Sequence, residues 1–122
     1  MRRHIVIADD QPDVRSALGF WLEQQAQVWV VGEAVDTASL LDLLRSTTAD
    51  VVLLDWELPG QPIPDLLRTI HASAPHPKVL AMSSSREVGS IALAAGADAF
   101  ASKGDGPAAL LSAVRPLLVD DR

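Results

Sequence analysis

The chain has 122 residues, 48% of them apolar (AVILMFWYC) and 21% charged, which is the composition of one globular domain and far from that of a disordered segment. A domain of this length buries roughly two-thirds of the surface its unfolded form exposes, and a second domain does not fit. Ten Lys and Arg against sixteen Asp and Glu leave a formal net charge of -6, so direct nucleic-acid binding by this chain is not expected, and the lack of cysteine excludes a disulfide framework or a thiolate metal site.

In chain order, the tight basic pair Arg2-Arg3 is followed by Ile5-Val6-Ile7-Ala8, a short buried strand. Asp9-Asp10 breaks this apolar stretch too early for a signal peptide, and no run reaches membrane-spanning length; a soluble, cytoplasmic protein without a membrane partner is the expectation. Pro12 suits a first helical position, and Val14, Leu18, Trp21, Leu22 and Gln25 recur at helical spacing. Val28 to Val31 reads as a strand ending at Gly32, and Thr37 is placed to cap a helix carrying Leu40, Leu41 and Leu44. Asp50 to Leu54 forms the third strand. Beyond the Pro-rich loop from Pro59 to Pro64, Leu66, Leu67 and Ile70 mark another helix, and Lys78 to Met82 a fourth strand. A helix over about Arg86 to Ala95 ends at Gly96, a left-handed cap, before a strand from Ala99 to Ser102. Pro107 opens the last helix, which Pro116 ends or kinks near Arg115. The histidines His4, His71 and His76 have no ligand spacing and are expected to be solvated.

Five strands alternating with five helices predict a doubly wound α/β domain, a parallel sheet covered on both faces. In such sheets the functional crevice lies beyond the carboxyl ends of the strands, where strand order reverses. Those ends carry Asp9 and Asp10 after the first strand, Asp55 after the third, Ser83 after the fourth and Lys103 after the fifth. If the first and third strands are neighbours, three carboxylates converge; their repulsion raises a pKa or recruits a cation, and an oxygen-only site with open positions suits Mg²⁺. A carboxylate so neutralised, beside a lysine and a hydroxyl, can take a phosphoryl group: Asp55 attacks in line, Lys103 clamps an oxygen and Ser83 bonds the new phosphoryl group.

On these residues and this spacing the chain closely resembles, over almost its whole length, the receiver domain of two-component response regulators. The resemblance implies a single receiver domain over 1–122 with a flavodoxin-like fold, strand order 2-1-3-4-5. It implies an Asp55 phosphorylated from the phosphohistidine of a sensor histidine kinase. Asp10 and Asp55 would ligate Mg²⁺ directly, with Asp9 acting through water and Glu57 through its backbone carbonyl. Ser83 and Phe100 would be the switch pair, and Lys103 would pair with the phosphoryl group. The segment KGDGPAALLSAV is similar to receivers that precede a helix-turn-helix DNA-binding output domain, which is absent from these 122 residues. Control of transcription and homodimerisation on phosphorylation follow as expectations, as does the absence of enzymatic turnover beyond phosphotransfer and autodephosphorylation.

The chain departs from the family pattern at three places. The segment from Ser83 to Gly96 is about two residues short, so that Ser83 and Ser84 compete for the switch position; Gly104 follows Lys103 where many receivers carry proline; and Ile63 stands between Pro62 and Pro64 where glycine is common. Two other classes fit less well. A haloacid-dehalogenase-like phosphatase needs an aspartate two positions after its nucleophile, which here is Glu57, and a nucleotide-binding module needs a phosphate loop after the first strand, where DDQPD repels phosphate. A pseudo-receiver that docks partners without phosphorylation is the remaining alternative.

Overall fold

Alternation at period two divides the first strand between two cores. In the computed structural model, which describes residues 2–119, β1 (Arg3–Ala8) buries Ile5 and Ile7 in one core and Val6 and Ala8 in the other. Met1 and residues 120–122, the ends of the expected 1–122 domain, lie outside the described residues. The chain continues through α1 (Pro12–Leu22), β2 (Val28–Ala34), α2 (Thr37–Ser46), β3 (Val51–Asp55), α3 (Ile63–His71), β4 (Lys78–Ser83), α4 (Val88–Ala94), β5 (Ala99–Ser102) and α5 (Gly106–Val114). Single 3-10 segments cover Lys103–Asp105 and Arg115–Leu118.

The sheet is five-stranded in the order β2-β1-β3-β4-β5, with every pair parallel. Strand order reverses between β1 and β3, as the expected doubly wound α/β architecture requires. On one face Leu40 of α2 and Leu66, Leu67 and Ile70 of α3 cover Val6, Val52 and Leu54. On the other, Leu22 of α1 and Leu110 and Val114 of α5 cover Ile7, Leu53 and Leu80. Fully burying one such side chain stabilises the fold by about 1.5–3 kcal/mol, so the central strands hold their carboxyl ends rigidly. A third, smaller cluster lies under α4, where Ala81, Ala92 and Ala97 meet Trp56, Val88 and Phe100.

Several boundaries differ from the sequence expectation. β3 runs from Val51 to Asp55 rather than from Asp50 to Leu54, because the Asp50 carboxylate accepts the His4 N–H at 2.7 Å and closes the strand's entry. Asp55 is therefore the last residue of the strand. β2 continues past Gly32 to Ala34, with a register shift opposite Ile5 and Val6. Thr37 does not cap α2: Asp36 does, accepting the Ser39 N–H at 2.7 Å in a capping box with Ser39. Thr37 instead ties down the loop after β3, accepting the Gln61 N–H at 3.0 Å while its own N–H donates to the Pro59 carbonyl at 2.9 Å. Gln25 lies beyond α1, and α4 is confined to Val88–Ala94. Gly96 caps α4 with φ +113° as expected, letting the Ala97 N–H reach the Ala92 carbonyl at 3.0 Å. His4 and His71 are half-buried rather than solvated; the rings of His71 and His76 are 4.7 Å apart.

Candidate functional site

The pairing Ala8↔Leu54 between β1 and β3 places the next residue of each strand, Asp9 and Asp55, side by side. Asp9 is 0% exposed and Asp55 2%, whereas Asp10 is open to solvent. One carboxylate oxygen from each of the three lies within 4.8 Å of the others. Lys103, opening the 3-10 segment after β5, reaches across with Nζ 2.7 Å from Asp9 Oδ2 and 3.5 Å from Asp55 Oδ1. The other Asp9 oxygen accepts the Gln11 N–H at 3.0 Å, and the Glu57 N–H donates to Asp55 Oδ1 at 3.0 Å. Arg15 braces this end of β1, donating to the Asp9 carbonyl at 2.8 Å and to Glu33 at 3.0 Å.

Burial pushes the Asp55 carboxyl above its ordinary value, and the charges of Asp9 and Glu57 push the same way; the Glu57 N–H and Lys103 oppose the rise without cancelling it. Burial works to lower the Lys103 ammonium, but its hydrogen bond to Asp9 and the charges of Asp55 and Asp9 prevail and raise it. One ammonium thus faces three carboxylates. An oxygen-only donor set with excess negative charge fits a hard divalent cation, and Asp9, Asp10 and Asp55 can hold one.

Ser83 ends β4, is 0% exposed and pairs in register with Ser102, the residue before Lys103. Ser84 is exposed, so Ser83 is the hydroxyl at the strand end. Its Oγ donates to Glu57 Oε2 at 3.1 Å and accepts the Ser85 N–H at 3.1 Å. Phe100 is half-buried on β5 in the cluster under α4, which also takes in Trp56, the neighbour of Asp55. A Cβ at Gly89 would stand 3.0 Å from the Phe100 ring.

The expected residues therefore gather in two steps: Asp9, Asp10, Asp55 and Lys103 in direct proximity, and Ser83 beside them through Glu57. Sequence reasoning did not foresee the contact of the Glu57 side chain with Ser83, the bracing by Arg15 or the loop tie made by Thr37. For Glu57 a signal existed, since a residue two positions past a strand-end aspartate sits on the turn above the site. Arg15 and Thr37 act across elements and leave no local pattern.

Residues 5–115 match the family described as "Response regulator receiver domain". The transcriptional activator protein ExaE of Pseudomonas putida is 33% identical over 116 residues, 93% of this chain and 54% of that protein. A protein-glutamate methylesterase/protein-glutamine glutaminase of Halalkalibacterium halodurans is 30% identical over 98% of this chain and 36% of that protein. Among solved structures, the signal receiver domain of a NarL response regulator from Mycobacterium tuberculosis superposes with a TM-score of 0.85 at 28% identity, covering 96% of each chain. The chain spans about half the length, or less, of the curated relatives it matches. Among the described residues no helix is long and apolar enough to cross a membrane.

Proposed function

The chain belongs to the response regulator receiver family, and we propose that Asp55 is its phosphoacceptor, charged by the phosphohistidine of a sensor histidine kinase. The observation that carries this reading is a buried carboxylate at the β1/β3 switch point, 3.5 Å from Lys103 and within reach of two further carboxylates. The Glu57 N–H fixes Oδ1, and Oδ2 attacks phosphorus in line. The O–P bond forms as the P–N bond of the donor breaks, and the departing imidazole nitrogen keeps the electron pair. Lys103 then takes an equatorial phosphoryl oxygen. Asp10, Asp55 and the Glu57 carbonyl would hold Mg²⁺, which supplies charge neutralisation to the carboxylates and the phosphoryl oxygens. Asp9, with both oxygens already engaged by Lys103 and Gln11, would bear on it through water.

Phosphorylation draws Ser83 toward the site and shifts an existing equilibrium between two arrangements of the β4–α4 and β5–α5 region, Phe100 moving with it. The likeness to ExaE supports a transcriptional output, exerted through a DNA-binding domain outside these residues and through homodimerisation, in the cytoplasm. The chain itself acts as a phosphoacceptor, with turnover limited to phosphotransfer and autodephosphorylation.

The test is intact-mass analysis after incubation with acetyl phosphate and Mg²⁺, beside Asp55→Asn and a metal-free sample. One added phosphoryl group, lost in both controls, is expected. No gain, together with no response to beryllium fluoride, would leave a docking module that is not phosphorylated.

A further inference from the structure

We propose that the Glu57 carboxylate is a detachable latch on Ser83, a positioning residue that occupies the hydroxyl until a phosphoryl group displaces it; the inference rests on Asp55 being the phosphoacceptor. A serine hydroxyl has one proton to give. Ser83 gives it to Glu57, 3.1 Å from Oε2 and 3.3 Å from Oε1, while its lone pair takes the Ser85 N–H. Ser83 is 0% exposed, whereas Glu57 is exposed on the turn after β3, so the carboxylate is the partner with solvent to swing into when the bond is given up. The bond is charge-assisted, and Ser83 cannot donate to a phosphoryl oxygen without giving it up.

A phosphoryl group on Asp55 brings fresh negative charge two residues from Glu57. It repels the carboxylate and at the same time offers Ser83 another anionic acceptor. Phosphorylation therefore exchanges one acceptor for another, and the hold of Glu57 lowers the gain from engaging Ser83. Residues at Glu57 set how readily the site passes to its phosphorylated arrangement.

Beryllium fluoride, a phosphoryl mimic, tests this by calorimetric titration in Mg²⁺ of the wild type, Glu57→Gln, Glu57→Ala, Ser83→Ala and the Glu57→Gln/Ser83→Ala double variant. With Ser83 present, both Glu57 substitutions should tighten binding about tenfold. In the Ser83→Ala background, Glu57→Gln should change it much less. An equal gain in both backgrounds would overturn the latch, since relief of anion repulsion alone requires no hydroxyl. Wild-type binding left unchanged by either Glu57 substitution overturns it as well while leaving the phosphoacceptor intact. Failure of every variant to bind would overturn the phosphoacceptor reading and the latch together.

Discussion

Lys103 Nζ lies 2.7 Å from Asp9 Oδ2, closing an ion pair whose carboxylate has no exposure to solvent. Removing the ammonium leaves a buried charge without its main partner. In metal-free buffer, Lys103→Ala should lower the unfolding free energy by about 2 kcal/mol. Asp9→Asn in the same chain should recover part of that loss, because the stranded charge is gone. Chemical denaturation of both variants measures it; strictly additive losses would show that the pair is not coupled.

Asp55 should reveal itself as a stability cost. Its carboxyl is held above the ordinary value of 3.8, so without metal its ionised form weakens the fold once the pH exceeds that range. At neutral pH in EDTA, Asp55→Asn should raise the thermal midpoint by roughly 4 °C. Millimolar Mg²⁺ should raise the wild-type midpoint and act much less on the variant. A wild-type midpoint indifferent to Mg²⁺ would count against the cation site.

The central strands and most of the acidic site were legible from sequence because both depend on local pattern. Ile5 to Ala8 and Val51 to Leu54 are apolar at every position, and a carboxylate at the end of each has few readings in a parallel sheet. Ser83 was readable only as one of three adjacent serines; pairing with Ser102 selects it. The contact between the Glu57 side chain and Ser83 joins residues 26 apart in sequence, and that between Thr37 and Gln61 joins residues 24 apart. Neither separation follows a helical or strand period. The α2 cap lay within reach: Asp36 and Thr37 are both capable, and Ser39, three residues after Asp36, decides for Asp36.

The Asp36 cap predicts an acid limb. Hydrogen bonds from Ser39 hold this carboxyl below its ordinary value of 3.8, so the stabilisation is present above that pH and is lost as pH falls through the lower folded-state value. Asp36→Asn keeps a capping oxygen but has no proton to gain. Urea midpoints should show the wild type ahead at pH 6 and the difference shrinking toward pH 3. A difference independent of pH would mean that the charge plays no part in the cap.

Gly60 tests whether the loop after β3 is held for the benefit of Asp55. It has φ +125°, and a Cβ there would come within 2.0 Å of Thr37 Oγ1. The same oxygen accepts the Gln61 N–H, so a side chain at this position cannot be accommodated without breaking that bond. Strain and the lost tie together should cost about 2 kcal/mol or more in Gly60→Ala. Because Glu57 lies in the same loop and its N–H fixes Asp55 Oδ1, the displaced loop should also weaken Mg²⁺ binding several-fold. Thr37→Ser, which keeps the hydroxyl and drops only the methyl group, should leave Mg²⁺ affinity close to wild type. Titrating Mg²⁺ against tryptophan fluorescence, with Trp56 beside Asp55 as the reporter, separates the two effects. Lowered stability with unchanged Mg²⁺ affinity would show that Thr37 and Gly60 serve the fold alone.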